Sequence, residues 1–536
     1  MTRGWGPEAA AALDPALRGL LRVVGGPGTG KTSLLIDVAA ARVAAGVDVG
    51  SVLFLTGSGR VGTRTRSTLT ATLLAARPRT GAGLPAVVRE PLVRTVHSYA
   101  FAVLRTAAQR AGGPPPRLVT GAEQDSVIRE LLTGDGAEAW PEYLRTALGT
   151  DGFATELRDL LARCAERGVD PAQLTRLGRQ SGRPEWTAAG RFAQQYEQVM
   201  LLRAAVGTAA PQATAPAVSA AELIGAALDV FAADPGLLDD DRARVRVLLV
   251  DDAQQLDPQA VRLVQMLAAG AELTVLAGDP DQAVFGFRGA ASAVLSAVDG
   301  WRSPGADPVS TTLTTLTRSH RCAPAVAHAI SGIARRLPGP GRAGLEGTGA
   351  DSGSVTVRLA ASRHAEAALI ADTLRRAHLI DGVPWSQMVV IVRSVSRAAA
   401  GLPRALAAAG VPVTLPVAGR LLAEHPAVAA LLTVLAAVVD GLDGRQALAL
   451  LTGPIGRMDP ISLRQLRRSL RRSQAGLAEP LVFVLSGDGP DGLPAGQARP
   501  LRRVRAVLEA AAHCHRDSLD PRYTLWQAWH RSGLQR

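Results

Sequence analysis

Eight residues near the start of the chain, Gly25-Gly26-Pro27-Gly28-Thr29-Gly30-Lys31-Thr32, fit the phosphate-loop spacing G-x-x-x-x-G-K-[ST]. Glycines let successive backbone N–H groups close round phosphate oxygens, and a helix N-terminus adds positive potential. The spacing places Lys31 on the outer phosphates and the Thr32 hydroxyl on Mg²⁺. The chain has 59 lysines and arginines, and Lys31 is the sole lysine. An ammonium is a compact point charge and a guanidinium a broad plane, so the slender cation is kept where it must slip between phosphates. A magnesium ion on phosphate also needs a carboxylate. The apolar run Val245–Val250 ends in Asp251 and Asp252. Asp251 is placed to hold the metal, and Asp252 stands where a general base for an attacking water would sit. A second apolar run, Leu273–Ala277, ends in Gly278-Asp279-Pro280-Asp281-Gln282, which puts Gln282 in position to sense a terminal phosphate.

These residues need strands that end together. Leu20–Val24, Ser51–Leu55 and Leu92–Val96 are short runs of the fully buried type, each followed by a polar turn and a helical pattern. That alternation predicts a parallel sheet. The phosphate loop is flanked by the first of these strands and by a helix over Ser33–Ala45. Residues 1–105 therefore read as the first part of an α/β domain. Residues 106–235 read as a helical insertion with helices at Glu123–Leu132, Thr155–Glu166 and Ala188–Leu202, and a flexible Ala/Pro/Thr connection at Gly207–Val218. The sheet resumes over residues 236–336. A Gly/Pro-rich stretch, Leu337–Gly353, marks a boundary. A second α/β unit is expected over 354–416, with strands Val355–Leu359, Met388–Arg393 and Val411–Leu415 and helices His364–Ala377 and Gly401–Ala409. Residues 417–536 read as helical.

Composition bounds the partners. The 536 residues are 47% hydrophobic and 20% charged, enough for about three or four structural units. A formal net charge of +12 favours a polyanionic partner; a GC-rich genome's arginine habit gives the same excess. Cys164, Cys322 and Cys514 are far apart, which fits a reducing interior and neither a disulfide framework nor a zinc site. No basic segment followed by an apolar stretch opens the chain, and the apolar run between Pro426 and Asp440 falls short of the ~20 residues of a spanning helix. A cytoplasmic, nucleoid-associated protein with no membrane partner is expected. Ser462–Ser473 reads as a helix with a Leu463/Leu466/Leu470 stripe and five arginines elsewhere. It suits duplex phosphates or a solvated face equally.

In these segments the chain resembles the superfamily I DNA helicases of the UvrD/Rep/PcrA type. Thr95-Val96-His97-Ser98-Tyr99-Ala100 is similar to that family's T-F-H-x-x-A, and Leu249-Val250-Asp251-Asp252-Ala253-Gln254-Gln255 to V-D-E-x-Q-D. Gly278–Ala290 matches G-D-x-x-Q-x-I-Y-x-[FW]-R-G-A; Leu316–Cys322 resembles L-x-x-N-Y-R-S, and Val390–Ser394 resembles V-L-x-R-S. The resemblance implies RecA-like phosphate-loop parallel sheets with largely helical insertions, ATP and Mg²⁺ as cofactors, and single-stranded and duplex DNA as partners. It assigns Lys31, Asp251, Asp252, Gln282 and Arg321 to catalysis, with Arg321 as an arginine finger. It places Gly25 to Thr32 and His320 on ATP, and Thr32 and Asp251 on the metal. Thr95, His97, Phe285, Phe287 and Arg288 fall on DNA. For Phe285 and Phe287, ordinary core packing is the competing reading.

The departures narrow the resemblance. Asp252 replaces a catalytic glutamate, Gln255 an aspartate, and Leu17 an adenine-reading glutamine; Leu55–Arg60 matches its DNA-contact counterpart poorly. The G-L-E-[WF] and Y-V-A-x-T-R segments are missing. With V-D-D-A-Q-Q and G-G-P-G-T-G-K-T, the chain resembles the AdnA-type motor subunits of actinobacterial AdnAB helicase–nucleases. That implies a role in double-strand break resection, weakened ATP hydrolysis, an AdnB-like second subunit and further sequence beyond Arg536. A structural, DNA-guiding subunit and a stand-alone repair helicase are the alternatives.

Overall fold

Apolar runs that lack alternation can be satisfied only by burial on both faces, and the first half of the chain does this with a parallel sheet. The computed structural model describes residues 4–75, 92–206, 217–296, 301, 311–338, 344–349, 351–394, 398, 401–414, 425–473, 479–488, 493–517 and 521–534. Strands β1 (Gly19–Gly25), β2 (Val52–Thr56) and β3 (Val93–Thr95) come first. The two-residue strands β4 (Arg117–Leu118) and β5 (Ala217–Val218) pair with each other. Then come β6 (Val247–Val250), β7 (Leu273–Gly278), β8 (Thr311–Leu316), β9 (Arg318–Ser319) and β10 (Glu346–Gly347). Six of them form a sheet in the order β3-β2-β6-β7-β1-β8, with every pairing parallel. All residues of β2, β6 and β7 are buried. The α/β reading holds.

Helices α1 (Pro7–Ala11), α2 (Lys31–Ala44) and α3 (Gly59–Ala75) precede α4 (Val96–Arg110). Side chains of α1, α2 and α3 pack with Leu21, Val23, Phe54, Leu249 and Val275 on one face of the sheet. Side chains of α4 join Leu20, Leu53, Leu55, Leu248 and Leu276 on the other, together with α10 (Leu223–Ala233), α11 (Pro235–Arg244) and α12 (Pro258–Ala268). Between α4 and α10 the chain is helical, as its periodicity predicts. The segments are α5 (Gly121–Gly134), α6 (Glu142–Arg145), α7 (Asp151–Arg167), α8 (Pro171–Gln180) and α9 (Pro184–Val206). Their starts are set by capping side chains: Thr120 accepts from Glu123 N–H, Thr150 from Phe153 N–H, and Asp170 forms a capping box with Gln173. This insertion has its own core around Trp140, Phe192 and Tyr196. Residues 207–216 of the expected flexible connection lie outside the described residues, and Ala217–Val218 is a strand.

The chain divides into two compact units, Met1–Thr356 and Val357–Arg536. In the second, the helix expected over His364–Ala377 is Arg363–Leu379, and that over Gly401–Ala409 is Leu402–Ala408. The strands expected at Val355–Leu359, Met388–Arg393 and Val411–Leu415 are not found among the described residues, and Leu415 lies outside them. Val357, Leu359, Val389 and Ile391 are exposed. An extended apolar run becomes a strand only when a neighbour takes its N–H and C=O groups. Here none does among the described residues. The remainder of the unit is a helical cluster around Val434, Leu450, Leu466, Leu470 and Val504. Leu466 and Leu470 of the arginine-rich helix Pro460–Ser473 belong to that core, while Arg464, Arg467 and Arg468 are exposed.

Phe54 lies in the middle of β2 with no exposed surface. Phe54→Ala should destabilise the first unit by about 3–5 kcal/mol in equilibrium urea unfolding. A loss below about 1 kcal/mol would contradict a close-packed sheet core there.

Candidate active site

Strand β1 runs into the loop Gly25–Gly30, and α2 starts at Lys31. Gly28 (φ +76°) and Gly30 (φ +92°) adopt backbone that side chains resist. At Gly28 a Cβ would also meet Arg321 Cβ at 2.6 Å and Ser319 Oγ at 2.7 Å. The segment after β8 therefore presses directly on the loop. Ser319 Oγ donates to Pro27 O (2.8 Å), and His320 N–H donates to Gly28 O (2.9 Å). The His320 and Arg321 side chains remain exposed beside it.

The Lys31 ammonium donates to Gly25 O (2.7 Å) and Gly26 O (2.9 Å). Burial lowers its pKa; Asp279, Asp251 and Asp252 oppose that, and the Arg321 charge adds to it. One half-buried cation thus feels three carboxylates at the ends of β6 and β7. Thr32 Oγ1 donates to Asp251 Oδ2 (2.7 Å). Burial, then repulsion from Asp252, raises the Asp251 pKa to about 6, against the Thr32 hydrogen bond and Lys31. A hydroxyl and a carboxylate oxygen side by side fit a hard cation such as Mg²⁺, which fills its other positions with water and phosphate oxygens. No group of three His, Cys, Asp or Glu side chains suited to a metal occurs among the described residues, so two protein donors plus phosphate is the set this site offers.

The glutamines after Asp252 tie strand ends together. Gln254 accepts Asp279 N–H (3.1 Å) and donates to Asp252 Oδ1 (3.3 Å). Gln255 donates to Gln282 O (2.6 Å) and accepts Phe285 N–H (3.2 Å). Gln282 itself donates to Asp279 Oδ2 (2.7 Å), one of the acids acting on Lys31. Asp252 sits at φ +53°, strained for a residue with a side chain.

A cavity of about 610 Å³ lies beyond these strand ends, walled by the insertion. Thr95, His97, Asp252, Gln255, Phe285 and Arg288 line its sheet side. Thr95 Oγ1 caps α4 by accepting Ser98 N–H (3.1 Å). His97 is reached by solvent through the cavity mouth, yet the surrounding protein lowers its pKa, with Asp257 opposing. Phe285 and Phe287 are 39% and 72% exposed, which removes the core-packing reading. The Arg288 guanidinium lies 5.5 and 5.4 Å from their ring centres. From α7, Arg163 donates to Phe287 O (3.3 Å). Arg163 also lies 2.6 Å from Glu166 Oε2, close but out of hydrogen-bond alignment.

The site residues expected from sequence thus fall into two groups on one edge of one sheet. Lys31, Thr32, Asp251, Asp252 and Arg321 surround the loop, with Gln282 joined to them through Asp279. Thr95, His97, Phe285 and Arg288 line the cavity, with Phe287 beside them. Sequence reasoning gave no role to Asp279, Ser319, Arg163 or Glu166. Asp279 carried a signal, an acid closing a buried strand; the α7 residues meet the Phe287 loop only through tertiary packing.

A phosphate loop at a parallel strand's carboxyl end, with acids on the adjoining strand ends, defines a phosphate-loop nucleotide enzyme. The family model for the UvrD/REP helicase N-terminal domain matches residues 5–300. The chain belongs to this family of ATP-dependent DNA helicases. No curated protein matches it.

Burial raises the Glu166 pKa to about 7, with Asp257 adding to this and Arg163, Arg288 and Arg167 opposing. The folded state therefore binds a proton there more tightly than the unfolded chain, and that contribution is lost as pH rises through about 7. Thermal melts from pH 5 to 8 should show a smaller fall in Tm for Glu166→Gln than for wild type. An unchanged slope would contradict the assignment.

Proposed function

We propose that the chain is a DNA motor subunit that binds ATP at the phosphate loop and hydrolyses it slowly. Asp252 carries the reading. Its carboxylate is one methylene shorter than a glutamate's, its backbone is strained, and Gln254 holds one of its oxygens. A carboxylate set back in this way orients water poorly, and general-base help is worth about 10²–10⁴-fold. Lys31, Thr32, Asp251, Gln282 and Arg321 keep their roles on phosphate and Mg²⁺. Thr32 and Asp251 would hold the metal, which would draw negative charge from the outer phosphates. Arg321 would offset charge developing on the transferred group. His320 would lie beside the nucleotide.

The cavity and its rim are the DNA side. Phe285 and Phe287 offer stacking faces to unpaired bases, worth roughly 1–3 kcal/mol per base whatever the sequence. Arg288 supplies charge, and Thr95 and His97 polar contacts. The two glutamines give a physical link: a base that moves the Phe285 loop pulls on Gln255 and Gln282, next to the acids on Lys31. The second RecA-like domain of this reading begins within 354–416 and carries the helical segment 417–536. A second helicase–nuclease subunit and a place in double-strand break repair follow from the AdnA-type resemblance. No helix among the described residues is long and apolar enough to cross a membrane.

The isolated chain should bind mant-ATP and single-stranded DNA with slow turnover, Lys31→Ala should lose nucleotide binding, and Asp252→Glu should raise kcat at least tenfold. No gain in Asp252→Glu would favour a DNA-guiding subunit that does not turn over ATP. Vigorous DNA-stimulated hydrolysis by wild type would contradict the weak-motor reading.

A further inference from the structure

We infer that Trp5 is a base-contacting residue of the nucleotide site, an aromatic wall beside the phosphate loop; the inference rests on the nucleotide reading above. A Cβ built on Gly30 would lie 3.2 Å from the six-membered edge of the Trp5 indole. The indole Nε1–H donates to Asp37 Oδ2 (2.9 Å). Gly30, Ser33 and Asp37 are spaced three and four apart, so they share one face of α2's first two turns. Trp5 lies along that face. In a loop of this kind Lys31 takes the outer phosphates, and the inner phosphates lie over the loop's backbone N–H groups at the helix start. Ribose and base therefore leave at the end where the indole stands.

The indole is held by a built segment, not by a loose terminus. Ala9 and Ala12 are buried against the sheet core. Arg42, 1% exposed, sends its guanidinium from α2 to Pro15 O and Leu17 O. A buried guanidinium satisfied by main-chain carbonyls fixes the path of that segment over α2. Trp5 is half-buried, packed against the edge of the sheet core. His320 flanks the loop at its other constrained glycine, Gly28. Purine faces stack on indole with little demand for hydrogen-bond geometry, so such a wall suits a site with Leu17 rather than an amide near the base.

Base contact and loop support are separated by removing the base. Calorimetric titration of the full chain with Mg·ATP and with Mg·tripolyphosphate should show Trp5→Ala weakening ATP about tenfold, the low end of base–aromatic stacking, while tripolyphosphate changes less than twofold. Trp5→Phe, which keeps a ring, should retain most of the ATP affinity. Equal weakening of both ligands, or no weakening of ATP, overturns the inference while the nucleotide site stands. Wild type binding neither ligand overturns the nucleotide reading as well.

Discussion

A single half-buried ammonium among three strand-end carboxylates is the constraint on which the rest depends. Lys31 loses hydration as the loop closes over it, which lowers its pKa, and Asp279, Asp251 and Asp252 offset part of that loss. Those acids occupy their places because β7 pairs with β1, β6 pairs with β7, and all three run in the same direction, so they deliver their carboxyl ends to one edge. Antiparallel pairing of any one strand would send its acid to the far side of the domain. The fully buried strands therefore serve the chemistry as well as the core.

The same edge joins the phosphate loop to the cavity. Gln254 and Gln255 belong to the turn after β6, yet their amides reach the segment after β7. One partner is the Asp279 backbone beside Lys31; the others are Gln282 and Phe285, at the cavity. An amide that both donates and accepts resists displacement of either end alone. A shift of the Phe285 loop is thereby felt within a few bonds of the acids on the loop lysine. Arg163 extends this to the insertion by holding Phe287 O.

The loop, its strand and the acids were legible because their chemistry is local: glycine conformations, a lysine at fixed spacing, and carboxylates closing apolar runs. The insertion's helices were legible from periodicity, with ends shifted by capping threonines such as Thr120 and Thr150. Strand β8 was not. Its run Thr311-Thr312-Leu313-Thr314-Thr315-Leu316 alternates weakly because it is the sheet's edge, and Leu313 is 53% exposed. The opposite error occurred at Val355–Leu359 and Met388–Arg393, where apolar β-branched composition suggested strands but pairing depends on distant neighbours. Trp5 and Glu166 carried no local signal at all. Each acquires its meaning from α2 or from the Phe287 loop, which only the fold brings near.

The most direct test of the account is the Mg²⁺ dependence of nucleotide binding in wild type, Thr32→Ala and Asp251→Asn, followed by calorimetry at pH 7.5. If Thr32 and Asp251 together seat the metal on phosphate held by Lys31, wild type should gain ATP affinity with Mg²⁺ and both variants should lose that gain. A Mg²⁺-dependent gain that persists undiminished in Asp251→Asn would contradict the arrangement from which everything else was argued.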